Sequence, residues 1–436
     1  MHSSLTIIGG GLAGLAAAEA ACRSGMRVEL LEARPTLGGR AGSFRDPQSG
    51  LTLDACQHLA LGCCGELLDF LQRLGLADAL PHHRRLHFLA TDGRQCDFVP
   101  ARWLPAPLHL LPGLLGLRFL TWTDRLKIAG AMVALARTGS SDPGETVAGW
   151  LARHGQSAAA VEGFWAPVLL SALGDTLEKI ALSAARQVIV QGFLSSRQAY
   201  ELCLPRMPLA ELHERIGAAL RAQGVAIRLK TRVRRIEGDC EAVREIRLAD
   251  DTVLRPERVV LAVPWWQVPG LLGAELSHAL PEVECLKQIR PAAITAVHLW
   301  FDRPITPLPH AVLLGRTAQW LFRPAWVSPE RSGYCQVVIS ASHALAPWPR
   351  QELLNRVLDD LRATWPEVAV ARLLCWQIVA QRAAVFSCVP GLDALRPRQH
   401  SSVSNLFWAG DWTATGWPAT MEGAVRSGRL AIAAGA

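Results

Sequence analysis

The chain has 436 residues, half of them hydrophobic and 19% charged, which is enough to bury a large core across two domains and is the reverse of a disordered composition. Its net charge of +7 comes from arginines, since Lys127, Lys179, Lys230 and Lys287 are its only lysines; scattered without a basic run, they exclude nucleic acid and leave an acidic substrate or an anionic membrane surface. The eleven cysteines include no CxxC pair and no Cys/His set at zinc spacing, so no metal is expected and reduced thiols fit a cytoplasmic protein.

The first expected element is a strand at 5–8, entered with no signal peptide ahead of it. Gly9-Gly10-Gly11-Leu12-Ala13-Gly14 follows, then a helix over 12–24, a strand at 28–31 and Glu32. Strand, glycine turn, helix, strand, acid is the order of a dinucleotide site. Gly9 makes the tight turn, Gly11 lets backbone approach a pyrophosphate, Gly14 lets the helix pack on the strand, and Glu32 accepts from ribose hydroxyls. The helix start at Leu12 and Ala13 aims free N–H groups at phosphates. Beyond Glu32, Ala33-Arg34 and Gly38-Gly39-Arg40 set two cations and an open turn beside the diphosphate.

A helix is expected over 63–76, with Leu67, Leu68, Phe70, Leu71 and Leu74 on its apolar side. Residues 102–122 are apolar yet broken by three prolines and two glycines, which forbid one spanning helix. They read either as an interfacial element or pocket mouth, with Leu114 and Phe119 as contacts, or as a core-facing loop and helix. No uninterrupted apolar run of about 20 residues occurs anywhere. Helical periodicity dominates 122–221, strands are expected at 225–229, 231–236 and 258–264, and another at 291–301.

The run from Glu32 through Gly38-Gly39-Arg40 to Phe44 resembles the extended fingerprint of the flavin-containing amine oxidase and phytoene desaturase superfamily, which implies FAD rather than NAD. Two further stretches share the resemblance. In the first, around the strand at 231–236, the resemblance implies that the Val233 backbone meets the adenine. In the second, Gly410-Asp411 and Met421-Glu422-Gly423 place Asp411 on the ribityl chain and a helix N-terminus at the flavin N1 and C2 carbonyl. The implied fold is α/β, with two domains: a Rossmann-type FAD domain built from residues 1–80, 205–268 and 396–436, and a substrate domain with a helical part at 81–204 and a sheet part at 269–395.

Two departures argue against amine oxidation. Thr420 stands where amine oxidases place a cage aromatic, and no lysine follows Lys287. Residues 53–71 instead closely resemble the hydroxysqualene dehydroxylase family, with Gln57-His58, Gly62 and Cys63 matching its Gln-His-x-x-x-Gly-Cys signature and Ala55-Cys56 departing from its usual Asn-Gly. The resemblance implies a C30 isoprenoid substrate, hydroxysqualene, in bacterial squalene or hopanoid synthesis. It also implies hydride delivery from reduced FAD, peripheral contact with the inner face of the cell membrane, and upstream enzymes like squalene or phytoene synthases. His58 is the candidate proton donor for the leaving hydroxyl, the alternative being a structural histidine bonded to backbone or flavin. Carotenoid or squalene desaturation and a flavin-free isoprenoid carrier are the competing readings.

Overall fold

The computed structural model describes all residues apart from 1, 2, 48, 138–143, 329, 330 and 436. Five short strands form a parallel sheet in the spatial order Ala226–Arg228, Arg27–Leu31, Ser4–Ile8, Arg258–Leu261, Leu406–Trp408. Continuous apolar runs suit a sheet covered on both faces, and Ile7, Leu30, Val260 and Trp408 are fully buried in it. Beside it the helices Leu12–Arg23 and Met421–Ala434 touch so closely that a Cβ on Gly428 would lie 2.2 Å from the Ala13 carbonyl oxygen.

A second sheet has seven strands in the order Leu373–Phe386, Pro291–Phe301, Tyr334–Ile339, Trp320–Phe322, His310–Leu313, Leu86–Leu89, Gln95–Phe98. All neighbours are antiparallel except His310–Leu313 with Leu86–Leu89. The strand expected at 291–301 is present with those limits. The stretch 81–204, expected to be helical, also contributes the last two strands of this sheet, Leu86–Leu89 and, at the edge, Gln95–Phe98. The first is a wholly buried four-residue run, too short for a helix to bury.

The helix expected over 63–76 is shorter, Gly65–Arg73. Cys63 is held back by a backbone bond to Ala199, and Gly75 ends the turn at φ +73°. Residues 102–122 fold as the core-facing loop and short helix of one reading, with part of the stretch left exposed. Leu108–Leu110 and Leu111–Gly116 form two short helical turns that bury Leu110, Leu114 and Leu117 and turn Leu108, Leu111 and Leu115 to solvent. Leu114 and Phe119 are therefore not the outward contacts: Leu114 shares the inner face, and Phe119 leans on Phe88 with ring centroids 6.2 Å apart. Among the described residues no helix is long and apolar enough to cross a membrane.

Candidate active site

Between the two sheets lies a cavity of about 950 Å³, at the upper end of the roughly 300–1,000 Å³ usual for ligand sites. Every site residue expected from sequence lines it except Gly14. Gly14 has a packing task instead: a Cβ there would meet the Gly9 carbonyl oxygen at 2.0 Å, so only glycine lets the first helix start this close to the first strand. Gly9 itself sits at φ +112°, with the Ala262 carbonyl oxygen where a side chain would go.

Glu32 ends the second strand with both carboxylate oxygens engaged, accepting from the Gly10 and Arg34 backbone N–H groups at 2.7 Å each. It therefore orders the glycine turn as well as facing the cavity beside Ala33 and Arg34, whose guanidinium bonds the Gly39 carbonyl. Opposite Gly11, a Cβ would find nothing nearer than the Gly39 Cα at 4.0 Å. Two glycine backbones thus line a slot that any side chain would fill. A slot bare of side chains next to the free N–H groups of Leu12 and Ala13, with an acid at one end, fits the pyrophosphate and ribose of FAD.

The third segment closes the site. Gly410 holds φ +157° and its N–H bonds the Ser427 hydroxyl of the C-terminal helix at 2.6 Å. Asp411 pairs through Oδ1 with Arg40, which also reaches the Ala384 carbonyl and lies 5.8 Å from the ring centroids of Trp265 and Trp266. Thr420 caps Met421–Ala434 by accepting from the Gly423 N–H at 3.1 Å, so the positive end of this helix, at Met421, opens on the cavity. Val233, first residue of the strand Val233–Gly238, lines the opposite end with Thr231 and Arg232.

Gln57 and His58 sit on the cavity wall between these parts, the Gln57 amide donating to the His58 carbonyl at 3.0 Å. His58 Nδ1 is 2.8 Å from the Cys56 carbonyl oxygen. A carbonyl only accepts, so Nδ1 carries a proton and donates it to this bond. Burial, with the Arg40 charge acting in the same direction, lowers the His58 pKa below the ordinary histidine value. Burial thus favours the neutral ring, and the bond it makes is a backbone bond of the kind the structural alternative named. Burial also pushes the Cys56 thiol up to about 12, leaving it protonated and inert.

Several wall residues have partners that the local sequence does not reveal. Glu422 lines the cavity while its carboxylate accepts from Glu66 N and Leu67 N at 3.1 and 2.9 Å, capping a helix some 356 positions away in the chain. Trp412 donates Nε1–H to the Val263 carbonyl at 3.0 Å. At the far end the wall turns apolar, with Leu86, Phe88, Val188, Phe193, Val312 and Val338. Trp320 and Phe322 stack there with planes 2° apart, and the Trp320 indole bonds the Ser171 hydroxyl at 2.7 Å. Alternation in a three-residue strand is too short to read from sequence. Among the described residues no group of three His, Cys, Asp or Glu side chains is placed to hold a metal.

The family model "flavin containing amine oxidoreductase" matches residues 12–434. Hydroxysqualene dehydroxylase of Sinorhizobium fredii is 30% identical, over 99% of this chain and 98% of its own. That of Rhodopseudomonas palustris is 30% identical with both chains covered in full. Among solved structures, an oxidoreductase of Methanosarcina mazei superposes with a TM-score of 0.76 at 17% identity, covering 99% of this chain and 100% of that one. With an FAD-shaped slot assembled from three segments and relatives matched from end to end, the chain belongs to the flavin containing amine oxidoreductase family, on its hydroxysqualene dehydroxylase branch.

Proposed function

We propose that this FAD-dependent oxidoreductase removes the allylic hydroxyl of hydroxysqualene reductively to give squalene and water, working at the inner face of the cell membrane, where its water-insoluble substrate dissolves. The observation that carries the reading is the single cavity that is polar and glycine-walled at one end and apolar at the other. Bound FAD, when reduced, supplies a hydride at N5. The balance is one hydride and one proton in, with the carbon–oxygen bond broken and one water out.

The chain's own residues prepare that exchange. The apolar wall around Phe88, Phe193, Trp320 and Phe322 holds a hydrocarbon and excludes water that would recapture an allylic cation. The helix end at Met421 and the Arg40–Asp411 pair orient the cofactor's central part. His58, fixed by its Nδ1 bond to the Cys56 carbonyl and favoured neutral by burial, lines the cavity as an orienting ring. Amine substrates suit this wall poorly, since the position before Met421 is Thr420, spent on the helix cap.

The reading is tested by reducing the holoenzyme anaerobically in D2O and adding hydroxysqualene. Squalene should form with deuterium at the carbon that lost oxygen. Squalene without deuterium there discards direct hydride transfer, and turnover of phytoene by the oxidised holoenzyme supplied with an electron acceptor, with none of the alcohol by the reduced one, assigns a desaturase.

A further inference from the structure

Residues 98–137 have two apolar faces, and only one is used by the fold. In the helix Trp122–Arg137 the inward stripe is Ile128, Ala131, Met132 and Leu135. A second stripe, Trp122, Leu126 and Val133, follows the helical repeat on the outside, with Trp122 65% and Leu126 68% exposed. Just upstream, Trp103 is 79% exposed and Leu108 50% exposed, joined by Leu111 and Leu115. A helix apolar on both faces implies two apolar surroundings, and exposed patches of large side chains mark contact surfaces.

The charge on this face says which surrounding is missing. Residues 98–137 hold four exposed bases, Arg102, Arg118, Lys127 and Arg137, and one buried base, Arg125, against one acid, Asp124. Asp124 is buried, its carboxylate taken up by the Thr121 and Ser157 hydroxyls at 2.6 Å each. Arg102 and Arg118 are exposed and, among the described residues, enter no ion pair; Arg197 is likewise unpaired with any carboxylate and donates to the Arg102 carbonyl at 2.9 Å. Exposed tryptophan and leucine interleaved with unneutralised arginine is the chemistry of an anionic lipid interface. A second copy of this chain would bring the same positive charge to the contact.

The face is also tied to the cavity wall. Tyr200, which lines the cavity, has ring centroids 6.1 Å from Phe98 and 6.0 Å from His109, the latter in the first of the two short helical turns. Arg197 lies four residues beyond Phe193 of the same wall. We infer that Trp103, Leu108, Leu111, Leu115, Trp122 and Leu126, with Arg102, Arg118 and Arg197, form a docking surface for anionic phospholipid that sets the apolar end of the cavity against the bilayer. The inference rests on the function proposed above, of which it names the partner surface.

The test uses the full-length holoprotein with vesicles of phosphatidylcholine alone or mixed with phosphatidylglycerol. Wild type should sediment with the mixed vesicles, more weakly in high salt, and brominated lipid should quench its tryptophan fluorescence. Trp103→Ser with Trp122→Ser and Leu126→Ser should abolish sedimentation, and each of Arg102→Gln and Arg118→Gln should weaken it about fivefold. The control Val253→Ser with Val370→Ser, exposed apolar residues elsewhere, should bind as wild type does. Folding of each variant is read from retained FAD absorbance. Unchanged sedimentation of the patch variants overturns the inference, as does a wild type that binds neither vesicle, or a dimer in ultracentrifugation that the patch variants dissociate. Turnover of detergent-dispersed hydroxysqualene should survive in the patch variants. A wild type that binds vesicles yet does not turn over the alcohol sinks the reaction and leaves the surface standing.

Discussion

At the scale of single residues the site is a set of backbone demands met by small side chains and satisfied acids. Glu32 spends both oxygens on the turn that it closes, so Glu32→Ala should empty the FAD site by loosening Gly10 and Arg34 as well as by removing the ribose acceptor. Gly11→Val should do the same by filling the slot opposite Gly39. Purification of either variant as yellow as wild type contradicts this. His58 offers a sharper test, because a general acid supplies about 100-fold to 10,000-fold. With Nδ1–H committed to Cys56 and burial favouring the neutral ring, His58→Ala should slow flavin reoxidation by substrate less than about tenfold, with FAD retained. A loss in the larger range would return the proton to this ring.

At the scale of elements, the C-terminal helix is the part most exposed to small changes. Thr420→Ala deletes the bond to Gly423 N–H and should cost about 1 kcal/mol of stability, read as a lowered Tm. Gly428→Ala should cost considerably more, since its Cβ would press on the Ala13 carbonyl and part the two helices that flank the nucleotide. The glycine fingerprint and the first helix were legible in the chain because turn chemistry is local: Gly9, Gly11, Gly14 and Glu32 lie within one strand–helix–strand unit. Glu422 was not, because its partners lie 355 and 356 positions away. Nor were Leu86–Leu89 and Trp320–Phe322, strands of four and three residues whose type only their sheet neighbours decide. The apolar stretch at 102–122 was legible in composition but not in phase, and the phase put Leu114 inside.

At the scale of the whole molecule, pH acts through histidines buried in neutral form. His213, His298 and His310 are each pushed down to about 4, mainly by burial, whereas unfolded they titrate near 6.5. The unfolded chain binds these protons first, so stability is intact above about pH 6.5 and declines as pH falls toward 4, by at most about 3 kcal/mol per ring. Asp54 opposes this. Burial raises it to about 6, so its native protonation returns some stability as pH falls from about 6 to 3.8. With His58, His83 and His109 lowered as well and Glu19 and Glu422 raised beside Asp54, the rings outweigh the carboxyls and should leave a net loss, seen as a lower urea midpoint at pH 5 than at pH 7 and a shallower drop in His310→Asn. A midpoint independent of pH over that interval refutes it. We propose the division into residues 1–80, 205–268 and 396–436 for the FAD domain, with the rest forming the substrate domain, on the ground that all five parallel strands come from the first three segments.

That interleaving has a consequence for how the protein is made. Arg258–Leu261 pairs on one side with Ser4–Ile8 and on the other with Leu406–Trp408. Synthesis at about 5–20 residues per second separates the first strand from the last by roughly 20–80 s. Through that interval the glycine fingerprint is out of the ribosome but its binding site is not, because Gly410, Asp411 and the cap at Thr420 are still to come. Long-range parallel pairing of this kind is slow to form and leaves strand edges open meanwhile. FAD loading is thus confined to the end of translation or after it, and a chain halted before residue 406 carries a complete nucleotide signature with nowhere to put the nucleotide.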